Sequence, residues 1–186
     1  MLFLKFIVYF TIQHCFKEAQ AKPKTEFSFE IKSLCCDVST DLVKRNYCHV
    51  QNLSKNKYVL NFFIELHRQL PLSTDIALML DVRPINGQKS VKFINVKLKL
   101  CDALGNLKFN PILKSILQEL FRRSNFPLSC PLKANILYNV SNMVIDDAII
   151  PSYAPTLDYN FTMAFFEQKT ELGKIVAKGS LKRERK

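Results

Sequence analysis

Cysteines are the residues with the clearest chemistry in this sequence. Five of them follow the first 21 residues, and this odd number leaves one thiol over if the others form disulfides. No Cys-x-x-Cys pair occurs with a matching pair of histidines, so we do not expect a zinc site. We predict that Cys101 bonds to Cys130. The adjacent Cys35 and Cys36 compete for Cys48, and Cys36 is slightly favoured.

Side chains that could perform catalysis do not form a recognisable group. His49 and His67 stand in no triad or metal-ligand spacing. Asp146 and Asp147 are adjacent carboxylates, and a turn explains such a pair better than an active site does. The sequence contains neither a Gly-x-Ser-x-Gly elbow nor a glycine loop for phosphate. We therefore predict a non-enzymatic protein that uses no cofactor and no metal ion.

The N-terminal residues have the layout of a secretory signal peptide. A short basic start over residues 1–5 precedes an apolar run over residues 6–12 and the small-x-small cleavage pattern Ala19-Gln20-Ala21. The apolar run is much shorter than the ~20 residues that a membrane-spanning helix needs. We predict that residues 1–21 are removed and that the mature protein is secreted, without a transmembrane segment.

The mature chain is basic. We predict one domain over residues 22–182 and a basic tail over residues 183–186. The precursor has a net charge of +11, and loss of Lys5, Lys17 and Glu18 with the signal peptide leaves +10. The basic residues are scattered except for a cluster over residues 182–186. That cluster is either a frayed, solvated end or a segment that attracts acidic partners such as anionic lipid headgroups or sulfated sugars. No nucleic-acid-binding motif is recognisable, so we expect no nucleic acid partner, and we expect a monomer.

Three short motifs are candidate acceptors for N-linked glycans. Asn-x-Ser/Thr sites begin at Asn52, Asn139 and Asn160, and behind a signal peptide they predict surface glycans. We expect one or two of the three to be used. Asn160 has the outward parity of a predicted strand, as a glycan on a folded domain requires.

Alternation of apolar and polar residues predicts six or more strands. The alternating apolar positions are Phe27, Phe29 and Ile31; Tyr58, Leu60, Phe62, Ile64 and Leu66; Ile76, Leu78, Leu80 and Val82; Ile94, Val96, Leu98 and Leu100; Tyr159, Phe161, Met163 and Phe165; and Ile175, Ala177 and Leu181. The second to fourth of these sets are predicted as three long antiparallel strands with one buried face. Asn86-Gly87 follows the third set and is a strong hairpin signal.

One segment has helical spacing instead. Asn110 can cap a helix, and Pro111 suits its first position. The apolar residues that follow at helical spacing are Ile112, Leu113, Ile116, Leu117, Leu120 and Phe121. The sequence therefore predicts one amphipathic helix over residues 111–123, between Cys101 and Cys130. Six or more strands with one helix favour a mainly β protein, a β-sandwich with the helix at one edge or opening.

The segment from Cys101 to Pro131 also resembles a known family. Its elements are, in order, Cys101-Asp102-Ala103-Leu104, Asn110-Pro111, Leu120-Phe121, Ser124-Asn125-Phe126-Pro127 and Cys130-Pro131. This series is similar to that of a family of small secreted insect proteins of unknown function that includes the CheB chemosensory proteins. The resemblance covers residues 26–182, and that family is similar in turn to ML-type lipid-recognition domains such as the ganglioside activator.

The chain departs from the family pattern at two places. The family usually has one cysteine where this chain has Cys35-Cys36, and the usual Pro-x-Gly-x-Tyr appears as Pro155-Thr156-Leu157-Asp158-Tyr159, without its glycine. The resemblance implies an immunoglobulin-like, ML-type antiparallel β-sandwich. It further implies binding of a lipid, hydrocarbon or pheromone-like molecule outside the cell, in chemosensation or lipid handling, with a chemosensory receptor as a further candidate partner.

Two functions follow as hypotheses. The first is a binding module for a hydrophobic small molecule, with apolar residues of the strands and the helix lining a cavity. The candidates are Phe62, Ile64, Leu66, Leu78, Leu80, Ile94, Val96, Leu98, Ile116, Leu120, Phe121, Phe161, Met163 and Phe165. The second is an interaction protein with a solid core that docks on a receptor or membrane surface through its basic face. Fifteen Phe and no Trp suit a core and an apolar ligand site alike, so the sequence leaves both open.

Overall fold

The computed structural model describes residues 27–85, 87, 89–105, 111–150 and 154–184. The predicted signal peptide, the hairpin residue Asn86, the helix cap Asn110 and the side chains of Ile112 and Leu113 lie outside this description. Within it, no helix has both the length and the apolar character needed to cross a membrane.

The described chain is mainly β, as predicted. Its elements, in order, are β1 (Phe27–Val38), β2 (Val43–Ser54), β3 (Lys57–Leu66), β4 (Asp75–Pro84), β5 (Val91–Lys99), α1 (Leu100–Gly105), α2 (Pro111–Arg122), β6 (Leu137–Asp146), a 3-10 turn (Asp147–Ile149), β7 (Leu157–Glu167) and β8 (Thr170–Arg183). The helix predicted over residues 111–123 is α2, and the short α1 was not predicted.

Two antiparallel sheets make up the β-sandwich. One has five strands in the order β1-β8-β7-β4-β5, and the other has three in the order β2-β3-β6. The hairpin predicted at this point joins β4 to β5. The backbone N–H of Gly87 donates to the carbonyl of Pro84 at 2.8 Å. β3 lies in the opposite sheet from β4 and β5. Alternation predicted β3, β4 and β5 as one set of antiparallel strands, but only β4 and β5 are neighbours in a sheet.

The buried core consists of two clusters at opposite ends of the strands. One gathers Leu66 at the end of β3, Ile76 at the start of β4 and Leu172 at the start of β8. The other gathers Tyr58 at the start of β3 and Leu181 near the end of β8. The sandwich is thus packed at its two ends.

Two disulfides connect these elements. Cys36–Cys48 joins β1 to β2 and therefore links the two sheets, and Cys101–Cys130 joins α1 to the segment that precedes β6. Both pairs agree with the pairing favoured from the sequence. Cys35 is exposed and forms no disulfide.

A β-bulge decides which of the adjacent cysteines points inward. The register of β1 against β8 shifts between Ile31 and Ser33, which adds one residue to β1. An added residue reverses the parity of the strand beyond it. Leu34 and Cys36 consequently face the interior, and Cys35 is left on the outer face.

The domain extends beyond residue 182, the boundary expected from the sequence. Arg183 belongs to β8, and its backbone N–H donates to the hydroxyl of Thr156 at 3.1 Å. Its guanidinium carbon lies 5.8 Å from the ring centroid of Phe27. The first residue of the predicted basic tail is therefore part of the fold, and residues 185 and 186 lie outside the described chain.

Glu65 attaches the edge strand β2 to the centre of its sheet. It lies on the polar side of β3, as the alternation predicts, yet it is only 6% exposed. Lys44 and Arg45 cover it, with nitrogen to oxygen distances of 3.0 and 2.5 Å. Hydrogen bonds from these two side chains hold the pKa of Glu65 below its usual value near 4.5.

We predict that this carboxylate makes stability depend on pH. Because the folded-state pKa is lowered, the stabilisation is complete above pH 4.5 and is lost as the pH falls through the folded-state pKa. Glu65→Gln should lower the urea midpoint at neutral pH and flatten its decline in acid. The control Glu184→Gln removes an exposed pair with Lys55 and should change little. Equal pH profiles for Glu65→Gln and the unmodified protein would contradict this role.

We also predict that the mature chain, which begins at residue 22, has one reactive thiol. Cys35 is exposed and should react with a thiol reagent without denaturant, whereas the four bridged cysteines should not. Cys35→Ser should reduce the count to zero in the folded and in the denatured, unreduced protein. Labelling of Cys101 or Cys130 in folded protein would refute the pairing.

Candidate functional site

The middle of the sandwich is not filled by side chains. β3 is the central strand of one sheet and β7 of the other, yet the inward residues Phe62, Ile64, Phe161 and Met163 are only half-buried. Protein interiors normally leave few voids larger than a water molecule. Here the sheets enclose an apolar cavity of about 470 Å³ between the two core clusters.

Eleven of the fourteen residues predicted to line a cavity do so. They are Phe62, Ile64, Leu66, Leu80, Ile94, Ile116, Leu120, Phe121, Phe161, Met163 and Phe165. These residues come from both sheets and from α2.

Leu78, Val96 and Leu98 do not line the cavity, which corrects the prediction for them. Leu78 is only 1% exposed, because neighbours in the first core cluster surround it completely. Val96 and Leu98 lie on β5, the outer strand of the five-stranded sheet. Ile94 of the same strand is buried and lines the cavity, whereas Val96 is 38% exposed and Leu98 packs against the first core cluster.

Sequence reasoning missed a large part of the wall. The missed residues include Leu34, Val140, Met143, Ile145, Ile175 and Ala177, together with the Cys36–Cys48 disulfide. Ile175 and Ala177 belong to a predicted alternation and could have been included. The residues of β6 could not, because Asn142 has a φ of 54° and interrupts the alternation of that strand.

Three aromatic rings form a continuous part of the wall. Phe126 lies nearly parallel to Tyr138, with ring centroids 5.2 Å apart, and nearly parallel to Phe62 at 6.3 Å. Phe126 follows α2, whereas its two partners lie on β6 and β3. These stacked rings attach the segment after the helix to the three-stranded sheet.

The hydroxyl groups of the lining tyrosines are already engaged. The hydroxyl of Tyr138 accepts from the backbone N–H of Lys133 at 2.7 Å. Tyr159 donates to the backbone carbonyl of Glu30 at 3.1 Å, and burial raises its pKa well above 10, with Tyr58 and Glu30 adding to the rise. Tyr159 therefore stays protonated, and neither phenol turns an unused hydrogen-bonding group toward the cavity.

Gly179 makes the Tyr159 hydrogen bond possible. The ring of Tyr159 crosses over Gly179 of the neighbouring strand to reach β1. A Cβ at this glycine would lie 1.9 Å from the Glu30 carbonyl and 2.4 Å from the Tyr159 hydroxyl. Only a residue without a side chain fits under the ring.

A charged residue in the wall, Lys174, also keeps its charge outside. Its ammonium group lies 2.8 Å from the carboxylate of Glu171 and 3.7 Å from that of Asp37. These carboxylates raise the pKa of Lys174, with the hydrogen bond to Glu171 as the main cause. Only the apolar stem of the side chain is left to contact the cavity.

Helix α2 lies beside the edge strand β6, on the side of the three-stranded sheet away from the Cys36–Cys48 disulfide. Its apolar face contributes Ile116, Leu117, Leu120 and Phe121 to the cavity wall. On its other face Glu119 forms ion pairs with arginines at the end of the helix. The helix therefore separates the cavity from solvent at this edge.

Phe93 is a cavity-lining residue that is also exposed at the surface. Leu80 pairs with Ile94 and Asp81 pairs with Lys92, so Phe93 has no partner on β4. Such a bulge turns a side chain away from the regular alternation. Phe93 therefore contacts the cavity and is still 55% exposed, which makes it a candidate for the opening.

The described residues contain no group of three or more His, Cys, Asp or Glu arranged to hold a metal ion. The chemistry of this site consists of apolar contact. It can remove a hydrophobic molecule from water, and it presents hardly any polar group with which to orient one.

Comparison with known proteins adds a partial family match. The profile of a family described as "Protein of unknown function (DUF1091)" matches residues 76–161, slightly less than half of the chain. This supports a relationship to a family of unknown function. No curated protein matches the chain. A crystal structure of a protein from Archaeoglobus fulgidus is similar over 77% of this chain and 98% of that chain, at 4% identity and a TM-score of 0.26.

We predict that tryptophan fits at Met163 and does not fit at Leu78. The two residues are cross-strand partners on one face, and only Met163 lines the cavity. Met163→Trp should fill empty space and keep the Tm within a few degrees, whereas Leu78→Trp should overpack the core at a cost of ~1–3 kcal/mol. The chain has no other Trp, so fluorescence of the new residue in Met163→Trp should report an apolar environment. Equal losses of stability in both variants would indicate a solid core.

Proposed function

We propose that this chain is a secreted, non-enzymatic binding protein for a hydrophobic small molecule. The observation that carries the proposal is the apolar cavity of about 470 Å³ between the sheets. That volume lies within the ~300–1,000 Å³ of typical ligand pockets. It is about three times the ~150 Å³ cavity that accommodates benzene in an engineered protein.

The size of the cavity supports an occupant. Protein interiors leave few voids larger than a water molecule. An apolar space of about 470 Å³ is therefore better explained as a binding site than as imperfect packing.

The wall favours a ligand whose buried part is hydrocarbon alone. The hydroxyls of Tyr138 and Tyr159 are engaged with backbone groups, and Lys174 directs its ammonium to carboxylates. A polar group inside would lack partners, at a cost of about 1–3 kcal/mol or more. Each buried methylene would contribute ~0.8 kcal/mol. We propose an alkyl chain inside, with any headgroup at the opening beside Phe93.

Secretion is the cellular context of this proposal. Two disulfides among the described residues are compatible with an oxidising compartment. The signal-peptide pattern of residues 1–21 supports the same location. The resemblance to the CheB proteins and to ML-type lipid-recognition domains suggests chemosensation or lipid handling as the process, and a chemosensory receptor as a candidate partner.

We predict that the protein secreted from insect cells carries a lipid-like molecule or takes one up. Native mass spectrometry of the purified protein should detect a bound mass, and delipidated protein should bind hexadecane or palmitic acid. Met163→Trp should lose this binding because it fills the cavity. Leu98→Trp introduces the same residue type outside the lining and should retain it.

The competing function, docking of a solid-cored protein through a basic face, predicts different results. In that case the wild-type protein would show a clean apo mass and bind neither probe. That outcome, with both variants folded, would refute the ligand-carrier function.

A further inference from the structure

We propose that Asn139 carries an N-linked glycan and that its first sugar packs on the aromatic ring of Phe63. The proposal depends on secretion, which places the chain where such glycans are added, and it does not depend on the cavity. Asn139 begins the sequence Asn139-Val140-Ser141 on β6, and its side chain lies on the outer face of the three-stranded sheet. The cavity lies on the opposite face, which Val140 lines.

The strand register brings Asn139 and Phe63 together. The two are direct cross-strand partners. Both backbone hydrogen bonds of Asn139 go to Asn125, on the side away from β3. The pair is therefore of the non-hydrogen-bonded kind, in which side chains approach most closely. Their Cβ atoms are expected at about 4.5–5.5 Å.

Phe63 is one member of an outer aromatic strip, which consists of Phe63, Tyr47 and His49. The rings of Phe63 and Tyr47 are nearly parallel, with centroids 5.5 Å apart, and Tyr47 lies 6.1 Å from His49. Tyr47 is on β2, so it covers the side of Phe63 that faces away from β6. Asn139 is the register partner of Phe63 on the opposite side, that of β6. Tyr47 itself is 47% exposed, so the strip forms part of the outer surface.

A sugar attached to Asn139 is chemically suited to that ring. The C–H groups on one side of a pyranose form a weakly electropositive apolar surface, and the face of an aromatic ring is negative. The amide of Asn139 is available for the bond, because no described group hydrogen-bonds to it and its atoms are not buried. The glycan would cover apolar surface that otherwise contacts water.

The other two sites are less suited to this arrangement. The side-chain nitrogen of Asn52 donates to the hydroxyl of Tyr58 at 3.3 Å. The side-chain oxygen of Asn160 is buried and has no hydrogen-bond partner among the described residues. Asn139 alone combines an available amide with an aromatic ring in register.

The test uses the full chain secreted from insect cells. Enzymatic release of glycans in heavy-oxygen water marks each occupied asparagine, and peptide mass spectrometry should find the mark at Asn139. Ser141→Ala removes the acceptor motif and leaves Asn139 and Phe63 in place. Its Tm should fall by about 2–4 °C relative to the glycosylated protein. Trimming the glycan to its first sugar should preserve most of the Tm.

A double-mutant comparison separates contact from mere occupancy. Phe63→Thr should lower the Tm more in the glycosylated protein than in the Ser141→Ala background. The control Phe166→Thr changes a half-buried aromatic residue on the outer face of the other sheet, and its effect should be the same in both backgrounds. An unmodified Asn139 in secreted protein, or equal effects of Phe63→Thr in both backgrounds, would overturn the proposal. Recovery of the protein from the cytosol alone would overturn both the proposed glycan at Asn139 and the expected secretion.

Discussion

The cavity depends on how the two edges of the sandwich are closed. At one edge Cys36–Cys48 ties β1 directly to β2, which sets a short distance between the sheets there. At the other edge the apolar face of α2 takes part in the wall. A helix with its side chains is about 10–12 Å across, whereas packed sheets lie ≈ 10 Å apart. An edge closed by a helix therefore leaves more space than one closed by a disulfide, and the packed clusters at the two strand ends confine that space to the middle.

Local irregularities decide which residues face this space. The bulge after Ile31 turns Cys36 inward, the unpaired Phe93 lines the cavity although it is exposed, and Asn142 with its positive φ shifts the parity of β6. Each adds one residue to a strand, and one residue is enough to exchange the two faces. None of these three irregularities has a glycine or proline at its position that would predict it from the sequence. The inward residues beyond a bulge could therefore not be predicted from alternation alone.

Alternation succeeded where a strand has one apolar and one polar side without a bulge. β7 is such a strand, and its predicted residues Phe161, Met163 and Phe165 all line the cavity. β2 could not be found in this way, because it is an edge strand with few inward apolar residues, among them Cys48. The pattern also cannot report how far along a strand the cavity extends. Val96 has the same parity as Ile94 on the edge strand β5, yet only Ile94 lines the cavity.

The charges of the surface bear on the choice between the two functions. Basic residues on the outer face of the five-stranded sheet alternate with carboxylates: Lys97 and Lys99 contact Asp75, and Lys32 and Arg83 contact Asp158. Each exposed pair contributes little to stability, at about 0–1 kcal/mol. Each group still has two basic side chains for one carboxylate, so positive charge remains on this face. The competing function would use this charge, whereas under the proposed function the apolar interior would select ligands by their volume and shape.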